Sequence, residues 1–184
     1  MGSQMRDLTS CSPDGSNLLT VIRVNSRLRQ VISSLLSEFG LKLALRPHDR
    51  RIEVQREHED IAVLHPYTTL SDSLQRLIFH LAAVYSNKDS VIAFEDPEVH
   101  AFPRYIRYLA ERVSLDSRNQ YFITTHSPYF LTAIAEKTHA SELAIYLTYI
   151  KDDATEAKLL SRSKLEEMLS LDLDIFFNLD RLLG

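Results

Sequence analysis

Two short apolar runs constrain this chain more than any other feature. VIAF at residues 91–94 is wholly apolar, and QYFITT at 120–125 carries an unbroken apolar centre between polar ends. Each lies between segments whose apolar residues recur at helical spacing. Runs of this kind read as strands buried on both faces, as in parallel sheets covered by helices. Leu74, Leu77, Ile78, Leu81, Ala82, Val84 and Tyr85 form the helical stripe before the first run. Pro103 opens an amphipathic helix of about 103 to 115 before the second, since proline suits a first helical position. A helix through Ile134 and Ala135 then leads to LAIYLTYI at 143–150. Helix and strand in alternation predict an α/β fold with a parallel sheet flanked by helices.

The first third has a different grammar. Residues 1–17 are rich in Ser, Asp, Asn, Pro and Gly near their end and read as an exposed lead-in or tag. From Leu18 to Phe39 the apolar spacing predicts one helix ending at Gly40, with the glycine in the cap. LKLAL at 41–45, RIEVQ at 51–55 and IAVLHPY at 61–67 read as three strands separated by turns. Residues 18–68 are thus a small helix-plus-meander subdomain, and 69–184 carry the rest of a single folding unit. In the tail, ATEAKLL fits a short edge strand. Short helices are expected around Lys164 to Leu169 and around Ile175 to Leu182.

Composition removes several functions. The 184 residues support one domain. The chain has four glycines, where average usage of about 7% gives roughly a dozen, and none lies in a run able to wrap a phosphate. Cys11 is the single cysteine, which rules out an internal disulfide and a cysteine-rich zinc site. No stretch approaches 18 apolar residues and no secretory signal opens the chain, so a cytoplasmic location without a membrane partner is expected. Charge is uneven under the net value of -4. Residues 23–56 hold eight basic against three acidic side chains, a pattern that suits an acidic partner or plain solvated surface.

Three segments carry chemistry. In VIAFEDPEVH, Glu95 and Asp96 follow a strand directly, and open parallel sheets place ligands at the carboxyl ends of their strands. One carboxylate there suits magnesium alongside substrate phosphates, and the next suits a water attacking a phosphoryl group. The alternative is an acidic turn ended by Pro97. In YFITTHSPYFL the arrangement recurs, with Thr124, Thr125, His126 and Ser127 at the strand end. His126 suits donation to a phosphate oxygen or aid to a water, or else a structural histidine. In TLSDSLQRL, Ser71 or Asp72 starts a helix. Its exposed N–H groups suit an anion, or Ser71 simply caps it.

Taken in order, these segments resemble the C-terminal half of an ABC-type ATPase head. The nearest likeness is to AAA-family ATPases of the overcoming-lysogenization-defect type and their structural-maintenance and recombination relatives. LSDSLQR is similar to the signature motif, VIAFEDPEVH to the Walker B strand with its following turn, and YFITTHSPYF to the switch-histidine loop. The likeness covers roughly residues 13 to 183. It implies a partial P-loop-NTPase-like sheet, with ATP and Mg2+ as the ligands of the complete protein. Glu95 matches the metal-associated acid, Asp96 the water-polarising acid, and His126 the histidine that senses the transferred phosphate. Ser71 and Ser73 match the element that reaches a nucleotide held by a second subunit. Glu98 and His100 match acidic and histidine positions of less defined role.

The sequence departs from the family in three ways. The acid pair is Glu–Asp where Asp–Glu is commoner. Ser73 stands where a glycine is usual, so a Cβ crowds the approach of a phosphate. The Gly-rich loop with its lysine, the Walker A element, is missing, and with it the main charge compensation for the β and γ phosphates. The resemblance therefore implies a catalytic-side lobe, inactive alone. It would be completed by a Walker A-containing lobe and a dimer partner, with DNA or a nuclease as partners of the complete system. Without the phosphate-loop strand, the VIAF strand should expose an edge and an apolar face, which predicts self-association or a covering partner. Two further readings remain: a non-enzymatic ATPase-like binding or dimerisation module, and a carboxylate nuclease using Glu95, Asp96 and Glu98.

Overall fold

The computed structural model describes residues 10–170. From Ser10 the lead-in is a hydrogen-bonded turn. Ser12 N–H donates to Asn17 Oδ1 at 2.9 Å, Asn17 Nδ2 donates to the Ser10 carbonyl at 2.7 Å, and Cys11 N–H donates to Ser86 Oγ at 2.8 Å. Gly15 turns the chain at φ 69°, and a Cβ there would lie 3.2 Å from the Phe79 ring.

The helix expected from Leu18 to Gly40 is two helices, α1 (Leu18–Val24) and α2 (Ser26–Ser37). Asn25 divides them. Its backbone is extended at ψ 101°, its Oδ1 accepts from Leu28 N–H at 2.9 Å, and its Nδ2 donates to the Tyr85 carbonyl at 2.8 Å. An asparagine that caps one helix and anchors another outcompetes the uniform apolar spacing on either side. Gly40 lies beyond the helix end, in the left-handed region at φ 66°, and turns the chain into the next strand.

The meander forms as expected: β1 (Leu41–Arg46), β2 (Arg51–His58) and β3 (Ile61–Pro66) pair antiparallel in that order. A single 3-10 turn, Tyr67–Thr69, leads to α3 (Asp72–Ser86), which buries the whole predicted stripe from Leu74 to Tyr85. Then come β4 (Val91–Glu95), α4 (Pro103–Ser114), β5 (Gln120–Thr124) and α5 (Pro128–Lys137). β4 and β5 are parallel neighbours joined through α4, a β–α–β unit, and α4 packs against α3 and α5. The core is therefore helical on one side of the pair, centred on Ile78, Leu81, Leu109, Ala110 and Phe130.

Two expectations need correction. VIAF is not buried on both faces: Ile92 and Phe94 are 8% exposed, whereas Val91 is 65% exposed. In β5, Tyr121 and Ile123 pack on the core while Phe122 is 59% exposed. Helices cover one face of the pair, and the other face is open. LAIYLTYI also does not extend the parallel sheet. β6 (Tyr146–Lys151) pairs antiparallel with β7 (Ala154–Leu159), the segment expected as an edge strand. Asp152 and Asp153, with φ 49° and 60°, form the two-residue turn, and two successive positive φ values match the twist of a tight hairpin. The first tail helix is present as α6 (Arg162–Ser170). The second, expected around Ile175, lies outside the described residues.

Candidate functional site

Parallel pairing brings the two strand ends together in register. Glu95 stands opposite Thr124, one step after Phe94 opposite Ile123. Asp96 N–H then donates to the Thr124 carbonyl at 3.1 Å and lies 3.3 Å from Thr124 Oγ1, whose hydroxyl is 3.4 Å from Asp96 Oδ1. Asp96 leaves the strand at φ 41°, in the left-handed region that aspartate enters more readily than most side chains. This residue therefore ends β4 and seats its carboxylate against the end of β5. Glu95 is exposed on the open face of the pair.

The turn after Asp96 closes through two backbone bonds, Val99 N–H to the Asp96 carbonyl at 3.0 Å and Ala101 N–H to the Glu98 carbonyl at 2.9 Å. Its Glu98 side chain reaches the other loop. Oε1 accepts from the Thr125 hydroxyl at 2.8 Å and from His126 N–H at 2.6 Å. Thr125 Oγ1 also accepts from Ser127 N–H at 3.0 Å. Ser127 caps α5 by accepting from Phe130 N–H, and Pro128 occupies the first turn where a missing N–H costs nothing. His126 sits exposed between strand end and helix start.

The third segment joins the same turn. Ser71 occupies the N-cap position of α3, but its side chain makes no capping hydrogen bond. This corrects the expectation of side-chain capping; the Ser71 carbonyl still accepts from Leu74 and Gln75 N–H. Ser73 Oγ donates to the His100 carbonyl at 2.5 Å. All three segments thus meet within one chain around Asp96–His100. Sequence reasoning singled out Glu98 and Thr125 but missed their contact. The only signal for it was the parallel register, which sets residues 29 positions apart side by side and so brings the two loops that follow the strands together.

Magnesium takes few protein carboxylates and completes its shell with waters and phosphate oxygens. Exposed Glu95 beside Asp96 suits that partial role. Among the described residues no group of three or more His, Cys, Asp or Glu side chains could hold an ion by itself. Glu98 Oε1 is taken up by the Thr125 hydroxyl and the His126 N–H. No helix among the described residues is long and apolar enough to cross a membrane.

The helix-covered parallel pair and the meander form an α/β fold similar to that of ATPase heads. It is similar to a chain from the structural biochemistry of ATP-driven dimerization and DNA-stimulated activation of SMC ATPases, with TM-score 0.55, 14% identity, and coverage of 83% of this chain and 95% of that one. An SmcHead bound to the C-winged helix domain of ScpA gives TM-score 0.54 at 14% identity, over 83% of this chain and 48% of that one. The Smc head domain with coiled coil and joint from Pyrococcus yayanosii gives TM-score 0.54 at 16% identity, over 86% and 31%. The chain therefore spans about half and about a third of the length of the last two structures. It belongs to the family described as "AAA domain, putative AbiEii toxin, Type IV TA system", whose profile matches residues 17–132. No curated protein matches it.

Proposed function

We propose that this chain is the catalytic-side portion of an AAA/ABC-type ATPase head, inactive alone and completed by a lobe carrying a Gly-rich lysine loop and by a second head. The observation that carries this reading is the register of β4 and β5, which gathers Glu95, Asp96 and the Thr124–His126 loop at one sheet end. Family membership and the ATPase-head fold support it. The open apolar face at Val91 and Phe122 adds a place for the missing lobe.

In this role Glu95, exposed at the strand end, would hold magnesium. The bound ion would offset charge on the β and γ phosphate oxygens. Asp96 orients the attacking water and draws on its proton as the water approaches the γ phosphorus in line. His126 donates to an oxygen of the transferring phosphoryl group, where charge develops. The start of α3 at Ser71 and Ser73 presents backbone N–H groups to a nucleotide held by the second head. A second reading, a dimerisation module without turnover, draws support from Ser73, whose hydroxyl is already engaged by His100 and whose Cβ crowds that approach.

Phosphate release measured with malachite green separates the two. The pure chain should release no phosphate from Mg-ATP. Co-expression with a lobe bearing a lysine phosphate loop should restore turnover that Asp96→Asn abolishes. Turnover by the pure chain that disappears in Asp96→Asn would overturn the incomplete-site reading, and a completed head without turnover would favour the module.

A further inference from the structure

The turn after β4 is tied to two segments distant in sequence. Glu98 Oε1 accepts from Thr125 Oγ1 at 2.8 Å and from His126 N–H at 2.6 Å. Two residues further on, the His100 carbonyl accepts from Ser73 Oγ at 2.5 Å. At the two ends of this turn Asp96 and His100 hold φ values of 41° and 59°, a region that non-glycine residues occupy when surrounding contacts keep them there. The strand ladder ends at Thr124 and α5 begins at Pro128, so Glu98 holds the stretch between two regular elements. Its second oxygen, Oε2, is buried with no hydrogen-bond partner. An oxygen kept dry and unpaired is unfavourable. The carboxylate therefore keeps this position through the two donors on Oε1, whose bonds to a charged acceptor are of the stronger kind.

We propose that Glu98 is a positioning residue for His126, acting through the histidine's backbone N–H, and that the turn 96–100 is a brace joining the start of α3 at Ser73 to the His126 loop. Its functional meaning rests on the proposed role of His126. Its geometry does not. A shift of the α3 start would move the His100 carbonyl, then Glu98, then the height of His126 above the sheet end.

Amide hydrogen exchange by NMR on the full chain tests this. His126 N–H should exchange slowly in the wild type. Glu98→Ala should speed it about tenfold or more, the effect of losing a hydrogen bond to a charged group, while the core amides of Ile78 and Leu81 keep their rates. Glu98→Gln retains an acceptor oxygen and should restore most of the protection. Should Glu98→Ala not fold, Glu98→Asp, shorter by one methylene, should raise His126 exchange in its place. Ser73→Ala should raise His126 exchange roughly threefold through the brace. Unchanged His126 exchange in folded Glu98→Ala, or in Glu98→Asp where the alanine variant does not fold, overturns the positioning role, and unchanged exchange in Ser73→Ala overturns the brace. Phosphate release plays no part in these measurements, so a completed head without turnover would overturn the proposed function and leave this proposal standing.

Discussion

His80 makes the stability of this fold depend on pH in a way that can be worked out in advance. It lies on α3, between Phe79 at 5.8 Å and Phe94 of β4 at 5.1 Å, ring centre to ring centre. Burial, reinforced by the positive charge of Arg76, lowers its pKa from 6.5 to about 4. The native state therefore holds a neutral ring while the unfolded chain takes up a proton as pH falls below 6.5. Because the folded value is the lower one, the stabilisation is fully present above about 6.5 and is lost as pH falls toward 4. At 1.36 kcal/mol per unit the whole shift is worth about 3 kcal/mol, of which at most about 2 kcal/mol disappears between pH 7.5 and pH 5. Urea denaturation of wild type and His80→Leu across that range measures it. The wild type should lose about 2 kcal/mol of unfolding free energy relative to His80→Leu as pH falls. Parallel curves for the two proteins would refute the reasoning, because the acidic residues common to both cancel in the comparison.

Three further outcomes follow from named contacts. Asn25→Ala removes the cap of α2 and the bond to the Tyr85 carbonyl, and should lower stability by about 2 kcal/mol in urea denaturation. Tyr121→Phe removes the 2.6 Å hydrogen bond to Asp116, a carboxylate that also receives Arg118 and Asn119, and should cost about 2 kcal/mol by the same measurement. Phe122→Glu places a charge on the open sheet face; light scattering should show the wild type self-associating and this variant shifted toward monomer. A wild type that is strictly monomeric at high concentration would contradict that last expectation.

What the sequence made legible followed from periodicity. The α3 stripe, the meander and the two parallel strands are each set by local apolar spacing, and the structure places them within a few residues of expectation. What stayed hidden depended on single polar side chains. Nothing in the spacing of Leu18, Ile22 and Leu28 marks a break, yet Asn25 makes one by capping α2 and reaching Tyr85. Similarly, no pattern in LAIYLTYI separates a parallel strand from a hairpin strand; the positive φ values at Asp152 and Asp153 decide it. The candidate site was legible as three segments in order, because strand ends concentrate polar residues. Its internal wiring was not, since Glu98 meets His126 and Ser73 meets His100 only once register and helix packing are set.

The disagreement over VIAF and YFIT is itself informative. A strand with one covered face ordinarily alternates apolar and polar residues, because water selects the outer set. Here the outer set includes Val91, Ala93 and Phe122, apolar residues on a face that α3, α4 and α5 leave open. The side chains are those of a doubly covered strand on a singly covered sheet. Under the proposed function, one lobe would supply both a phosphate-binding loop and a cover for this face. On that reading the open face and the incomplete site at Glu95 and Asp96 have one cause. Covering Val91 and Phe122 would then be the step that also brings a phosphate-binding loop to the end of β4.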